Sequence, residues 1–142
     1  MLLSKMDTRD LGKFGEDLAC EYLVKNGYKI IGRNYRINFG EIDIIAQKRW
    51  KFWDLFRKNP SASSGRAINF IEVKSLSKQG KDFFPEQRVD YKKQNKYIRL
   101  AEIWLSKNKF PQNYPCQIDI IAISINNEIP KVDFFENIVE DK

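Results

Sequence analysis

The chain has 142 residues, 42% hydrophobic and 31% charged, a balance typical of a folded globular protein that excludes a disordered one. It contains no histidine, which excludes serine–histidine and cysteine–histidine catalytic pairs and the usual zinc sites. The net charge is +6; five acids and two bases give residues 128–142 a charge of −3, so the remainder is +9, which favours a nucleic-acid partner over a charge that serves solubility alone.

No apolar run approaches the roughly 20 residues of a membrane-spanning helix, and the first residues lack the apolar segment of a signal peptide. Cys20 and Cys116 are too few for a disulfide framework and are predicted to be reduced thiols in the core. We therefore expect a cytoplasmic protein that does not engage a membrane. Residues 1–142 are predicted to form a single domain with an insertion at 47–66.

The first predicted element is an amphipathic helix over residues 10–26, where apolar side chains recur at helical spacing. Thr8 or Asp10 is the expected N-cap, and Asn26-Gly27 is a typical helix stop. Strands are predicted at residues 28–37, 41–47, 67–74 and 116–125, with a tight turn at 38–40 between the first two.

A second long helix is predicted from Asp90, its N-cap, to Lys107, after a polar and basic loop at residues 75–84. Residues 130–142 are predicted to hold a short strand or a frayed end. The resulting order, αβββαβ, predicts an α/β fold in which a small mixed sheet is flanked by helices.

The predicted insertion at 47–66 is aromatic and basic. Trp50, Phe52, Trp53 and Phe56 lie within residues 48–66, which hold six basic residues and one acid. Such rings stack on unpaired bases, and they also cover exposed core or bind a partner protein. Both interpretations stay open from the sequence.

Acidic residues interrupt two segments that otherwise have the apolar character of buried strands. Asp43 follows Glu41 in one segment, and Glu72 precedes Lys74 in the other. Because residues two apart on a strand share a face, Asp43 and Glu72 can converge if the two strands are neighbours. Two close carboxylates repel each other until a divalent cation binds them, so the pair predicts a metal site.

Carboxylate oxygens suit Mg²⁺ or Mn²⁺. Such an ion, bound by Asp43, Glu72 and the backbone carbonyl of Val73, would polarise a phosphoryl oxygen and activate a water for phosphodiester hydrolysis. Lys74 would orient that water or offset charge in the transition state, and action as a base would require a lowered pKa. The alternative is a buried ion-pair network of Asp43, Glu72 and Lys74 that only fixes the strand register.

Further charged residues are candidates for the site and for DNA contacts. Glu16, at the edge of the apolar face of the first helix, would join the metal site directly or through water, or it is an ordinary boundary residue. Lys92, Lys96 and Arg99 share one face of the second helix, which would contact DNA phosphates without reading the base sequence, or is a solvated face. Arg33 and Arg36 are a second candidate contact.

A set of short motifs occurs in order between residues 10 and 125. It comprises Gly12-Lys13-Phe14-Gly15-Glu16-Asp17-Leu18-Ala19, Arg33-Asn34-Tyr35-Arg36, Gly40-Glu41-Ile42-Asp43-Ile44-Ile45, Ile71-Glu72-Val73-Lys74, Val89 to Lys93 and Gln117-Ile118-Asp119-Ile120-Ile121-Ala122-Ile123. As an ordered set, the motifs resemble the YraN-like family of the restriction endonuclease-like, or PD-(D/E)XK, superfamily.

The resemblance implies a restriction-endonuclease-like core and a nuclease-type metal site. It places metal ligands at Asp43 and Glu72, the catalytic lysine at Lys74 and the helix-one glutamate of resolvase-like members at Glu16. It also places Lys93 at the family's lysine position, and similarity to Holliday-junction resolvases implies action on branched DNA. A homodimer is left open. No basic residue directly follows Lys74, and the insertion is longer than the family leads one to expect.

From these observations we expect a metal-dependent nuclease that hydrolyses phosphodiester bonds in DNA, with branched or structured DNA as the favoured substrate. The alternative is a non-catalytic DNA-binding accessory protein of the same fold.

Overall fold

Two helices and five strands make up the described part of the chain, which in this computed structural model comprises residues 6–49, 67–77, 91–126 and 129–139. In chain order they are α1 (Thr8–Lys25), β1 (Tyr28–Ile37), β2 (Gly40–Lys48), β3 (Ile68–Ser77), α2 (Tyr91–Lys107), β4 (Cys116–Asn126) and β5 (Ile129–Phe135). The predicted order αβββαβ is confirmed, and β5 is the short strand that was one of the two alternatives predicted for the tail.

Some predicted boundaries differ from the structure. β2 continues to Lys48 and β3 continues to Ser77, so the strands take residues that we assigned to the insertion and to the following loop. The aromatic residues of the predicted insertion and the predicted N-cap Asp90 lie outside the described residues.

The start of α1 is capped one residue earlier than predicted. Asp7, not Thr8 or Asp10, is the N-cap, and its side-chain oxygen accepts a hydrogen bond from the backbone N–H of Asp10 at 2.8 Å. The C-terminal stop is confirmed, because Asn26 caps the helix and Gly27 follows with a φ of 86°, in the left-handed region that glycine adopts without strain.

The five strands form one sheet in the order β1-β2-β3-β4-β5. β3 and β4 run parallel, whereas the other three neighbouring pairs are antiparallel. Parallel neighbours need a crossover, and α2 lies between β3 and β4 in the chain, so it makes that connection. The mixed sheet expected from the sequence is therefore confirmed.

Each helix covers one face of the sheet. α2 packs Leu100 and Trp104 onto one apolar cluster, and α1 packs Ala19 and Leu23 onto the other. On β3, Phe70 belongs to the α2 cluster and the adjacent Ile71 to the α1 cluster, as strand alternation requires. The same alternation determines to which face of the sheet each charged residue further along β3 points.

The two cysteines are free, as expected; Cys20 packs against the edge of the α1 cluster, whereas Cys116 lies outside the core. Cys20 is half-buried and Cys116 is exposed. In the described residues, no helix combines the length and the apolar character required to cross a membrane.

Candidate active site

The regular alternation of β2 breaks at Asp43. Ile42 packs in the cluster under α2, whereas Ile44 packs in the cluster under α1, although residues two apart on a regular strand share a face. Across from Asp43 on β1, Asn34 has a φ of 52°, in the left-handed region that asparagine tolerates. The face to which the side chains of β2 point therefore changes between Ile42 and Ile44, at Asp43.

The ladder between β2 and β3 ends next to Asp43. The paired residues in this register run to Ile44 opposite Ile71, so Asp43 and Glu72 are the next residues on the two strands. The carboxylate of Asp43 accepts a hydrogen bond from the backbone N–H of Val73 at 2.8 Å. The side chain thus takes over a backbone donor where the regular pairing stops, and the two acids meet at the end of the ladder.

Glu72 is half-buried beside this point, and its Oε2 atom is buried without a hydrogen-bond partner among the described residues. Burial raises the pKa of Glu72, while the nearby charges of Lys74 and Lys93 lower it. A buried carboxylate oxygen without a donor is costly and is uncommon unless the site binds something.

The surroundings of Asp43 disfavour its ionised form. Burial raises its pKa to about 6; the hydrogen bond from Val73 opposes the shift, and the charges of Glu16, Glu72 and Glu41 add to it. The negative charges of α1, β2 and β3 therefore act on one another around Asp43, and such repulsion disfavours its ionised form.

These acids line a cavity of about 490 Å³ between the two helices and the central strands. The described lining residues are Thr8, Leu11, Gly12, Glu16, Gly40, Glu41, Asp43, Glu72, Val73, Ser75, Lys93, Lys96, Tyr97 and Leu100. Four of them are acids and two are lysines. The described wall of the cavity is therefore acidic, although the body of the protein is basic.

Glu16 reaches the cavity because α1 packs tightly on β3. A Cβ atom on Gly15 would overlap the hydroxyl of Ser75 and lie 3.2 Å from its Cβ, so glycine allows the helix to approach the strand. Within the described ranges, no group of three or more acidic or thiol side chains has an arrangement that could bind a metal ion. Glu16 is thus a neighbour of the Asp43–Glu72 pair and does not complete a three-carboxylate group.

The two arginines predicted to contact DNA already bind carboxylates. The guanidinium of Arg33 lies 2.7 Å from Asp17 and 3.8 Å from Glu16. That of Arg36 donates to Glu41 at 2.7 and 3.0 Å. Both arginines therefore link the acids of α1 and β2 to the edge strand β1.

The basic face predicted on α2 is divided between the cavity and the first hairpin. Lys93 and Lys96 line the cavity, Lys92 is exposed, and the guanidinium of Arg99 lies 5.1 Å from the ring centre of Phe39 in the hairpin turn. Lys74 is close enough to Glu72 to lower its pKa, but it is not among the described residues that line the cavity.

Tyr97 and Gly40 are among the cavity residues that the sequence analysis did not predict as site residues. Tyr97 of α2 has a half-buried side chain that lines the cavity, and burial together with Glu72, Asp43 and Glu41 raises its pKa. Its position four residues after Lys93 was the available signal. Gly40 was assigned only to a turn, and no local pattern indicates its contact with α2.

The fold and the position of the acids define the class of protein. A five-stranded mixed sheet with one helix on each face is an α/β architecture consistent with a small restriction-endonuclease-like core. The chain belongs to the uncharacterised protein family UPF0102, the YraN family, whose sequence pattern matches residues 15–123. The family membership predicted from the ordered motifs is therefore confirmed.

Relatives in this family match most of the chain. A UPF0102 protein of Thermodesulfovibrio yellowstonii is 40% identical over 130 residues, 90% of this chain and 94% of its own. One of Caldanaerobacter subterraneus is 32% identical over 126 residues, 89% of this chain and 88% of its own.

Among solved structures, "The structure of Pyrococcus Furiosus SfsA in complex with Ca2+" aligns with a TM-score of 0.31 and 16% identity, over 92% of this chain and 64% of that chain. The chain thus spans just under two thirds of that structure, and a TM-score of this size carries no argument about fold or function.

Proposed function

We propose that this protein is a Mg²⁺- or Mn²⁺-dependent nuclease that hydrolyses phosphodiester bonds in DNA, with branched or structured DNA as its favoured substrate. One observation carries the proposal. Asp43 and Glu72 meet where the β2–β3 ladder ends, beside a buried Glu72 oxygen that has no donor among the described residues.

The donor set fits a hard divalent cation. Asp43, Glu72 and the backbone carbonyl of Val73 would bind it, with water completing the oxygen ligands, as is usual for Mg²⁺. The bound ion would supply polarisation of a phosphoryl oxygen and a lowered pKa of water. Opposite charge would also relieve the repulsion that raises the pKa of Asp43.

The chain's own residues have separate tasks in this proposal. Lys74, which acts electrostatically on Glu72, would offset charge that develops on the phosphate or orient the attacking water. Lys93 and Lys96, on the α2 side of the cavity, would hold phosphates of the DNA without reading bases. Glu16 would orient water at the edge of the site.

The charge of the cavity supports dependence on a cation. Four carboxylates face two ammonium groups in the described lining, so an added phosphate meets net repulsion at neutral pH. The basic surface outside the cavity would attract DNA, and the acidic lining would admit a phosphate only with divalent cations present.

Cleavage assays test the proposal directly. Linear duplex, single-stranded and four-way-junction DNA are incubated with the protein in Mg²⁺, in Mn²⁺ and in EDTA. We expect products only with the metals, most from the junction, and a rate loss of roughly 100-fold or more in Glu72→Gln and Lys74→Ala. Lys131→Ala, on the exposed edge strand β5, is the control and should cleave normally. Full cleavage by Lys74→Ala would refute the assigned chemistry.

A second candidate function is DNA binding without cleavage. It is favoured by the position of Lys74 outside the described cavity lining and by the lack of a three-residue acidic group in the described ranges. In the same assays this function predicts metal-independent gel shifts and no products. Its affinity should fall steeply with salt, because bound phosphates release counterions.

A further inference from the structure

Gly40, in the first hairpin, lies against the basic face of α2. A Cβ atom placed on Gly40 would lie 2.7 Å from Cε and 3.5 Å from Nζ of Lys96. It would also lie 3.0 Å from Cδ1 of Leu100. Among the described glycines only Gly27 has a positive φ, so Gly40 is needed here for space and not for an unusual backbone conformation.

Lys96, the lysine that crosses Gly40, has no carboxylate partner among the described residues. No Asp or Glu of the described residues forms an ion pair with Lys96, in contrast to Arg33 and Arg36. Lys96 and Gly40 both line the acidic cavity. An ammonium that no described carboxylate pairs with, and whose stem lies against a backbone at the rim of a cavity, is suited to bind an anionic group there.

We propose that Gly40 is a positioning residue for Lys96. Because Gly40 has no side chain, the Lys96 stem passes over the hairpin and places its ammonium at the cavity rim, where it binds one phosphate of the DNA. The inference rests on the proposed function, since it takes DNA as the ligand of the cavity. It adds a residue of the first hairpin to the determinants of substrate position.

The substitution Gly40→Ala tests this because it displaces a flexible side chain more than it disturbs the fold. Cε and Nζ are the far end of Lys96 and can move aside, whereas buried Leu100 must shift by only a few tenths of an ångström. Gly12 is the matched control. It lines the same cavity, and a Cβ atom there would meet nothing within 4 Å.

The experiment measures binding, not cleavage. Wild type, Gly40→Ala, Lys96→Ala, the double variant and Gly12→Ala are titrated into fluorescently labelled duplex DNA at several salt concentrations, with Ca²⁺ in place of Mg²⁺. Lys107→Ala, at the far end of α2, controls for the loss of one positive charge from that helix. Thermal unfolding of every variant shows separately how each fold is affected.

The plot of log K against log salt has a negative slope, and we expect Lys96→Ala to make that slope shallower by about 0.9, which corresponds to the loss of one phosphate contact. Gly40→Ala should also make the slope shallower, and the double variant should have the same slope as Lys96→Ala alone. Gly12→Ala and Lys107→Ala should keep the wild-type slope. Independent, additive effects of Gly40→Ala and Lys96→Ala, an unchanged slope in Gly40→Ala, or no DNA binding by wild type would overturn the inference.

Cleavage tests the nuclease proposal, whereas the salt dependence of binding tests the role of Gly40. If the variants show the expected coupling in binding while no DNA is cut in Mg²⁺ or Mn²⁺, the role of Gly40 stands and the nuclease proposal fails. If DNA is cut but Gly40→Ala binds with the wild-type slope, the nuclease proposal stands and the role of Gly40 is wrong.

Discussion

The carboxylate of Asp43 accepts the backbone N–H of Val73 at 2.8 Å, at the position where β2 and β3 stop pairing. One side chain thereby satisfies a donor that the ladder no longer uses and stands next to Glu72 on the neighbouring strand. The same contact holds Asp43 half-buried and beside other acids. Burial and the neighbouring negative charges both disfavour its ionised carboxylate.

Asp43 should make the metal-free protein less stable as the pH rises. Its pKa is raised from 3.8 to about 6 in the folded chain, so folding favours the protonated form; its contribution to the free energy of unfolding is largest below pH 3.8 and is lost as the pH rises through about 6. Asp43→Asn removes this dependence. In EDTA at neutral pH we expect the variant to be more stable than wild type by about 1–2 kcal/mol, allowing for partial exposure.

Urea unfolding at about pH 4 and at neutral pH measures this difference. The advantage of Asp43→Asn should shrink at the lower pH, where wild-type Asp43 is protonated. Asp133→Asn, on the edge strand β5 and outside the cavity lining, is the matched control. An equal gain in the control, or the same gain at both pH values, would contradict the assignment.

Divalent cations should offset the loss of folding stability that ionised Asp43 causes at neutral pH. A cation that binds only the folded chain, at a concentration about 100 times its Kd, adds about 2.7 kcal/mol to the free energy of unfolding. We expect Mg²⁺ or Mn²⁺ to raise the unfolding midpoint of wild type at neutral pH and to leave Asp43→Asn and Glu72→Gln nearly unchanged. Glu102→Gln, an exposed substitution on α2 outside this cavity, should respond like wild type. A normal metal response in both site variants would rule out the site.

The close approach of α1 to β3 should appear as opposite effects at two glycines of the same helix. Gly12→Ala meets nothing within 4 Å and should stabilise the protein by about 0.5–1 kcal/mol, because alanine is the better helix former. Gly15→Ala should destabilise it by about 1–3 kcal/mol, because the new methyl group overlaps the hydroxyl of Ser75. Chemical denaturation of both variants, alone and with Ser75→Ala, measures the coupling.

Ser75→Ala should recover part of the loss in Gly15→Ala and none of the gain in Gly12→Ala. If Gly15→Ala stabilises the protein as much as Gly12→Ala does, the tight helix–strand contact is absent in solution.

Asp119 is an acid whose role is structural. It is fully buried, and its oxygens accept hydrogen bonds from Asn69 at 2.6 Å, from Gln117 at 2.9 Å and from the backbone N–H of Asn137 at 2.8 Å. Asp119→Ala leaves these donors unpaired and should cost roughly 2–4 kcal/mol by chemical denaturation. The metal-induced rise of the midpoint should persist in the folded variant, unlike in Glu72→Gln. Loss of that response would place Asp119 at the metal site.

Asp119 also shows that the partner of a buried acid cannot be inferred from the sequence of its own strand. A charge between apolar strand residues suggests an ion pair, but Asp119 is satisfied by hydrogen bonds from amide groups. A buried carboxylate needs donors, and a sequence does not show whether an ammonium or an amide will face it.

The helices and strands could be predicted because their signals are local. Apolar side chains at helical spacing indicated α1 and α2, and alternating apolar residues indicated the strands within a few residues. The acids at Asp43 and Glu72 stood out for the same reason, since charges inside apolar strands are rare. Simple alternation, however, did not show that β2 changes its facing residues between Ile42 and Ile44.

The sequence by itself determined the secondary-structure elements, the mixed sheet and the identity of the acids at its centre, because periodic burial is written in neighbouring residues. Only the tertiary structure decided which charges meet. It paired Arg33 of β1 with Asp17 of α1, and it brought Lys96 over Gly40, because these contacts depend on how the helices pack on the sheet. Register and helix packing set those distances, and neither is encoded in any short segment.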